Sequence, residues 1–197
     1  MVKINQSHIQ YFKHSIEQYT SMDLKAFSAL FNIFELKKYD NNSHIIEPVE
    51  ENNSIFFIIS GLARYYYLTE DGKEWNRAFL SKNMISTTFS KDLGWIAPYG
   101  IQAIEDTDIL IADFEDFQLL FEEHPMIERF QRKLTESILI KKINRERSFL
   151  QSSAKQRYTE FVKQYPEIFK SIAQYHLASY LGITEASLSR ITSKTSK

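Results

Sequence analysis

The spacing of apolar residues is helical near the start of the chain. Within residues 7–36 it brings five apolar side chains onto one face at steps of three and four: Leu24, Phe27, Leu30, Phe31 and Phe34. Thr20 and Ser21 precede them as candidate N-cap residues. The pattern predicts a helical N-terminal segment.

The pattern changes between residues 43 and 112. The stretch "SIFFIISGLARYYYLTEDGKEWNRAFL" is rich in β-branched and aromatic residues, and Asp71 and Gly72 interrupt it as a hairpin turn would. A second stretch, "GIQAIEDTDILIADF", predicts two more short strands around an acidic turn. Residues 43–112 are therefore expected to form an antiparallel sheet folded into a sandwich or barrel.

Helical spacing returns after the strands. A short helix is expected before Pro125, which suits the first turn of a second helix of about twenty-five residues. One apolar stripe on that helix is formed by Ile127, Phe130, Leu134 and Ile138. Leu139, Ile140 and Ile143 widen it, which predicts a second contact surface, most simply the same helix of a partner chain. The alternative is a helix buried on two sides within one chain.

The last apolar pattern is "LASYLGITEASLSRI", residues 177–191. Gly182 can end a first helix in the left-handed conformation, and Thr184 can cap a second helix. Leu188 and Ile191 would bury one face of that second helix, leaving polar residues on the other. This is the geometry of a helix-turn-helix that reads a DNA major groove, although an ordinary helical hairpin would share the pattern.

Charge is distributed unevenly along the 197 residues, although the formal net charge is only −1. Residues 1–124 carry a net charge of −9, whereas residues 125–150 and 151–197 carry +4 each. A basic C-terminal third fits a nucleic-acid contact confined to one end. The absence of cysteine excludes disulfides and thiolate metal sites. With no secretory signal and no apolar run of about 18 residues, a soluble cytoplasmic protein is expected.

The order of these elements resembles the Crp/Fnr family of bacterial transcription regulators. The resemblance covers residues 20–193 and rests on "IFFIISGLARYYYLTEDGKE" (55–74), "FQLLFEEHP" (117–125) and the terminal helix-turn-helix. It implies an α+β chain with an N-terminal helix and jelly-roll-like β-roll sensor domain (1–124), a long dimerisation helix (125–151) and an all-α helix-turn-helix domain (152–197). It also implies a homodimer that binds double-stranded DNA, with RNA polymerase as a further partner.

The roll departs from the members of that family that bind cyclic nucleotides. At the positions of their Gly-Glu and Arg-Ser pairs, the register gives Ser86 with Thr87 and Ala97 with Pro98, so neither the ribose-binding carboxylate nor the phosphate-binding guanidinium is present. Cyclic AMP and cyclic GMP are not expected to bind, unless Arg64 or Arg77 supplies the missing charge. Pocket candidates for an unknown effector, less polar or a partner protein, are Ser86, Thr87, Phe89, Trp95, Ala97 and Tyr99, although the aromatic residues also suit core packing.

The same resemblance assigns the DNA-contacting residues. The base-reading face falls on Glu185, Ala186 and Arg190, of which Arg190 suits a bidentate contact with guanine. The other expected contacts are made by Thr184, Ser187, Ser189 and Lys194. Because the chain ends at Lys197, we expect no β-hairpin wing, and further phosphate contacts would come from helix N-termini, Lys155 or Arg157.

Other classes of function find less support. A cupin-like enzyme needs a histidine cluster in the roll, where only His44 is present, and no catalytic motif is found, so no enzyme activity is expected. The five histidines show no metal-binding spacing, and His124 is interpreted as an exposed helix cap. The remaining alternative is a roll that binds a ligand or partner, with weak or no DNA readout.

Overall fold

A computed structural model describes residues 5–49, 51–88 and 98–195. The helices within these ranges are α1 (Gln6–Glu17), α2 (Leu24–Asn32), α3 (Phe114–Glu123), α4 (Pro125–Gln151), α5 (Ala154–Gln164), α6 (Pro166–Ser171), α7 (Gln174–Leu181) and α8 (Glu185–Thr195). The strands are β1 (Glu35–Tyr39), β2 (His44–Ile46), β3 (Ser54–Ser60), β4 (Leu62–Leu68), β5 (Glu74–Ser81), β6 (Ile85–Thr87), β7 (Tyr99–Ala103) and β8 (Thr107–Asp113).

The strands form two antiparallel sheets of four strands, in the orders β1-β8-β3-β6 and β2-β7-β4-β5. Apolar side chains from both sheets meet between them, among them Phe56, Ile58 and Ile109 from the first sheet and Tyr65 and Ile101 from the second. This arrangement confirms the predicted antiparallel sandwich, which we call the roll.

The β4–β5 hairpin turns where the sequence predicts it. Gly72 has a φ of +78°, a conformation that costs glycine little, and the Thr69 N–H donates to the Lys73 carbonyl over 2.9 Å. The pairing of the two strands is regular up to Tyr65, which faces Ala78, but Tyr66 faces Asn76. Arg77 is therefore the extra residue of a β-bulge.

The N-terminal prediction was right about helix but wrong about its extent. Two helices occupy the segment, and β1 begins at Glu35 because its backbone pairs with β8. The cap of α2 is Asp23, whose Oδ1 accepts from the Ala26 N–H over 2.8 Å, and not Thr20 or Ser21. Asp23 lies directly before the first residue of the helix, where an N-cap must lie.

The predicted dimerisation stripe is buried inside its own chain. Ile127, Phe130 and Leu134 are fully buried with residues of α1, α2, α3 and β3, and Ile138 is partly buried against the same cluster. Ile127, Phe130 and Leu134 have no exposed surface that a second chain could contact, so the assignment was wrong for these three residues, whereas for Ile138 it stays a prediction. His124 is also buried, with 7% of its surface exposed, and makes no side-chain capping bond, so the interpretation as an exposed cap was wrong too.

The second half of α4 is different, since its apolar side chains face solvent. Leu139, Ile140, Ile143 and Leu150 are 54%, 58%, 53% and 79% exposed. Leu139, Ile140 and Ile143 are the residues that widen the apolar stripe in the sequence analysis, and Leu150 extends the exposed apolar surface toward the end of the helix.

The helices after α4 share a core with the roll. Leu62 of β4 and Phe79 of β5 belong to the same buried cluster as residues of α5 to α8, including Phe161, Leu177 and Leu188. The Phe79 ring lies 6.0 Å from that of Phe161 and 5.3 Å from that of Tyr180. The C-terminal domain is therefore packed against the roll. In the described part of the chain, no helix is long and apolar enough to cross a membrane.

Candidate nucleic-acid interface and adjoining cavity

The turn between α7 and α8 is formed as the sequence predicts. Gly182 has a φ of +68°, and the Ile183 N–H donates to the Ala178 carbonyl over 3.1 Å, which ends α7 with a left-handed cap. Leu177, Ala178 and Leu188 are buried between the two helices and the rest of the domain. A Cβ added to Gly182 would lie 2.8 Å from the Phe149 ring, so the turn also packs closely against the end of α4.

Thr184 caps α8 as predicted. Its Oγ1 accepts from the Ser187 N–H over 3.2 Å and donates to the Ser187 Oγ over 3.0 Å. Both hydroxyls are therefore engaged within the first turn, where they fix the start of the helix. Thr184 remains exposed and Ser187 is half-buried.

The outer face of α8 carries the predicted base-reading residues. Glu185, Ala186, Ser189 and Arg190 are all exposed, and Ala186 and Arg190 lie on the side of the helix opposite to buried Leu188. The Arg190 side chain forms no ion pair with any described residue. Lys194 lies in α8, but its side chain falls outside the described part of the structure, as does all of Lys197.

The two basic residues suggested for further phosphate contacts have different environments. Lys155 is exposed at the start of α5. Arg157 instead donates to the Leu181 carbonyl from Nε over 3.2 Å and from Nη2 over 3.0 Å, and to the Ser152 carbonyl from Nη1 over 2.7 Å. The guanidinium of Arg157 therefore holds the ends of two helices, and this cluster of bonds explains its position better than DNA contact does.

A buried polar contact, which the sequence did not reveal, joins α7 to β5. Asn76 Nδ2 donates to the His176 carbonyl over 3.0 Å and lies 3.1 Å from His176 Nδ1. The Asn76 N–H donates to Ser179 Oγ over 2.8 Å, and Arg64 Nη1 donates to Asn76 Oδ1 over 3.0 Å. Burial, together with the positive charge of Arg64, lowers the pKa of His176 to about 4, which keeps the imidazole neutral.

Arg145 strengthens the same junction from α4. Its Nη2 donates to the Tyr180 carbonyl over 2.8 Å and to the Asn76 carbonyl over 3.2 Å. The guanidinium lies 3.9 Å from the centre of the Tyr180 ring and 4.7 Å from that of Phe149. One arginine thus contacts β5 and the first helix of the helix-turn-helix.

A cavity of about 310 Å³ lies beside this junction, between the roll, α4 and the C-terminal domain. Ser86, one of the predicted pocket residues, lines it and shares a hydrogen bond of 2.9 Å with the Tyr65 hydroxyl. Thr87 and Tyr99 are buried nearby but do not line the cavity, while Phe89, Trp95 and Ala97 lie outside the described residues. Arg77, which the sequence offered as a substitute cation, does line it.

The other predicted substitute, Arg64, is committed elsewhere. Its guanidinium forms an ion pair with Glu74 and donates to Asn76 and Gln102. His44, the only histidine in the roll, is hydrogen-bonded to the Tyr66 hydroxyl over 2.8 Å and paired with Glu47. Among the described residues, no three His, Cys, Asp or Glu side chains are grouped as metal ligands would be.

Solved structures of bacterial regulators have the same fold. A double mutant of CooA from Carboxydothermus hydrogenoformans matches with a TM-score of 0.69 and 24% identity over 90% of this chain and 82% of its own. FixK2 from Bradyrhizobium japonicum matches with a TM-score of 0.71 and 18% identity over 82% and 84%. A protein from Eubacterium rectale described as a Crp/Fnr transcriptional regulator matches with a TM-score of 0.70 and 15% identity over 92% and 85%.

No protein-family model and no curated protein sequence matches this chain. At identities this low, the similar structures establish the fold alone. The chain therefore has the α+β fold of Crp/Fnr regulators, as the order of its sequence elements predicts.

Proposed function

We propose that the chain is a DNA-binding transcription regulator rather than an enzyme, and that α8 is its recognition helix. The observation that carries this proposal is the outer face of α8, where Glu185, Ala186, Ser189 and Arg190 are exposed beside a capped first turn. The Arg190 guanidinium is exposed and forms no ion pair with a described residue, so it can donate to guanine O6 and N7.

We further propose that the regulator acts as a homodimer through the second half of α4. Leu139, Ile143 and Leu150 share one side of the helix at steps of four and seven, and all are more than half exposed. A second copy of α4 is the simplest cover for such a stripe, because its apolar residues recur at the same spacing. Two-fold symmetry would then set two recognition helices about 34 Å apart, in successive major grooves.

Binding-site selection with the purified chain tests the proposal. Selection should enrich a two-fold symmetric site. Arg190→Ala should lose about 1–3 kcal/mol of binding free energy at that site and relax one base preference, because it removes a base contact. The matched control is Arg132→Ala, which removes an exposed arginine paired with Glu136 on α4. Unchanged selectivity in Arg190→Ala would rule out α8 as the reader.

Lys194→Ala separates phosphate contact from base readout. The variant should weaken binding to all sequences alike and reduce the slope of log affinity against log salt by about one.

A second candidate function is a ligand-binding module with weak DNA readout, and the cavity beside Arg77 is the observation that favours it. In that case selection would enrich no sequence.

A further inference from the structure

We propose that Arg145, Phe149 and Arg157 are positioning residues that fix the angle between α4 and the helix-turn-helix, and thereby the spacing at which two DNA half-sites are accepted. We call these three residues the corner clamp. The inference rests on the proposed binding of DNA by a homodimer, and it names the side chains that determine the distance between the two recognition helices.

The link between α4 and α5 is too short and too open to fix that angle by itself. Ser152 and Ser153 alone lie between the two helices, and both have extended torsions, with φ and ψ of −108° and 139° at Ser152 and of −65° and 159° at Ser153. Each residue contributes two soft torsions, so small rotations here redirect everything that follows. Contacts made by side chains must therefore set the direction of the C-terminal domain.

The first support is the end of α7, where the corner clamp supplies donors that the helix lacks. An α-helix leaves its last four carbonyls without partners of its own, and in α7 the N–H groups of the turn reach the first two. The Tyr180 carbonyl accepts from Arg145 Nη2 over 2.8 Å. The Leu181 carbonyl accepts from Arg157 Nε and Nη2 over 3.2 and 3.0 Å. Guanidinium groups from both sides of the corner thus hold the negative end of α7.

Arg157 also holds the link itself. Its Nη1 donates to the Ser152 carbonyl over 2.7 Å, while Nε and Nη2 contact Leu181. Because the guanidinium is planar and rigid, these bonds keep the end of α7 and the end of α4 at a fixed separation.

The second support is the ring of Phe149, in the last turn of α4. The guanidinium carbons of Arg145 and Arg157 lie 4.7 and 4.8 Å from its centre, and the ring also contacts the turn at Gly182. Phe149 is 41% exposed, so burial of its ring contributes little to the core. Its position instead brings both arginines and the turn of the helix-turn-helix together.

The third support is the close connection between α7 and α8. Only three residues separate the helices, the Ile183 N–H donates to the Ala178 carbonyl over 3.1 Å, and Leu177 and Leu188 belong to one buried cluster. A tilt of α7 is therefore a tilt of α8. A displacement of about 3.4 Å along the DNA corresponds to a whole base pair, so a modest change of angle alters which spacing fits.

The contacts between α7 and β5 hold a different part of the helix. They act on His176 and Ser179, whereas the corner clamp acts on the last two residues, directly before the turn. Loss of the corner clamp should therefore leave the domain folded against the roll while its recognition helix becomes free to tilt.

Binding-site selection with half-sites at variable separation tests the spacing. The parent chain should bind one spacing about tenfold more tightly than spacings one base pair longer or shorter, because a mismatch must be met by deformation. Phe149→Leu and Arg157→Lys should each reduce that ratio about threefold or more and should retain the base preference within each half-site. Arg132→Lys, the matched control at an exposed position of α4, should keep the ratio of the parent.

The salt dependence distinguishes positioning from phosphate contact. Arg157→Lys keeps the positive charge but replaces the fork that reaches two carbonyls by a single nitrogen. The slope of log affinity against log salt should therefore match that of the parent while the spacing preference falls. A changed slope with an unchanged spacing preference would identify Arg157 as a phosphate contact and overturn its role in the corner clamp.

A distance measurement tests the corner clamp without DNA. The chain has no cysteine, so spin labels can be attached through Glu128→Cys on α4 and Ser189→Cys on α8, both exposed positions. Labelled chains diluted with unlabelled chains should give a narrow distance distribution by double electron–electron resonance, and Phe149→Leu or Arg157→Lys should broaden or shift it. An unchanged distribution in both variants would show that β5 alone fixes α8, and would overturn the proposal.

The two levels of failure are distinguishable. A parent chain that selects no sequence would refute DNA recognition, and the spacing rule with it. A parent chain that selects a spaced site, with the same spacing preference in both variants, would refute the corner clamp alone.

Discussion

The two halves of α4 have similar apolar spacing but different environments. In the first half, Leu134 is fully buried against the N-terminal helices and the roll, whereas in the second half Leu139 is 54% exposed. The N-terminal helices and α3 cover the first half and extend no further. Helical periodicity shows which side chains share a face, but the length of the neighbouring elements decides whether that face is core or surface.

The largest expected effect distinguishes the halves by the same substitution. Leu134→Ala should lower the free energy of unfolding by about 2–5 kcal/mol, because it opens a cavity in a packed core. Leu139→Ala is the matched control and should cost less than about 1 kcal/mol in the monomer, since most of the side chain faces water. Chemical denaturation measures both. Equal losses would show that the two halves are buried to the same extent.

The next effect is a dependence of stability on pH. It arises at His176, where the C-terminal domain packs against the roll beside the second half of α4. The folded-state pKa of His176 is about 4 and its ordinary value is 6.5, so the folded state binds fewer protons than the unfolded state between these values. Stability contributed by neutral His176 is therefore full above pH 6.5 and is lost as the pH falls toward 4, by about 2–3 kcal/mol.

Unfolding curves recorded from pH 7.5 to 4 measure this loss. His176→Gln should flatten the dependence on pH, while His14→Gln, at an exposed position of α1, should not. An unchanged slope in His176→Gln would show that another group governs the acid response.

A smaller effect on stability, but a clear one on assembly, is expected at Ile143. Ile143→Asp should change the unfolding free energy of the monomer by less than about 1 kcal/mol, because the residue is 53% exposed. It should nevertheless dissociate the proposed dimer, since a carboxylate would be buried between two helices. Sedimentation at micromolar concentration is the measurement. Asn144→Asp is the control, since it adds the same charge one residue away and should leave the dimer intact. A parent chain that is monomeric at this concentration would contradict the proposed dimer.

The last prediction is that two nucleotides do not bind. Cyclic AMP and cyclic GMP should not bind at low micromolar concentration, because no described lining residue offers a carboxylate to the ribose hydroxyl. Calorimetric titration with both nucleotides checks this, and heat of binding at those concentrations would contradict it.

The fold was predictable wherever local chemistry decides it. The Asp71–Gly72 turn, Pro125 at the start of α4 and the Gly182 cap each need a particular residue type, so the sequence marks them. The exposed face of α8 followed from the spacing of Leu188 and Ile191 for the same reason.

Contacts between distant segments were not predictable in this way. The bond between Asn76 and His176 joins residues a hundred positions apart, and neither residue type indicates the other. No residue type in β5 indicates the bulge at Arg77. The difference between Arg77 and Arg64 is therefore visible only in the three-dimensional structure. Burial of Ile127 and Phe130 likewise depends on helices far away in the chain.

One peptide group at the bulge belongs both to the lining of the cavity and to the contact with the C-terminal domain. The peptide group that joins Asn76 to Arg77 is a rigid plane, and its oxygen accepts the hydrogen bond from Arg145. A rotation of that plane that reorients Arg77 must also move the oxygen that Arg145 contacts. A change in the position of Arg77 at the cavity is therefore linked to the contacts between β5 and α7 by a single peptide group.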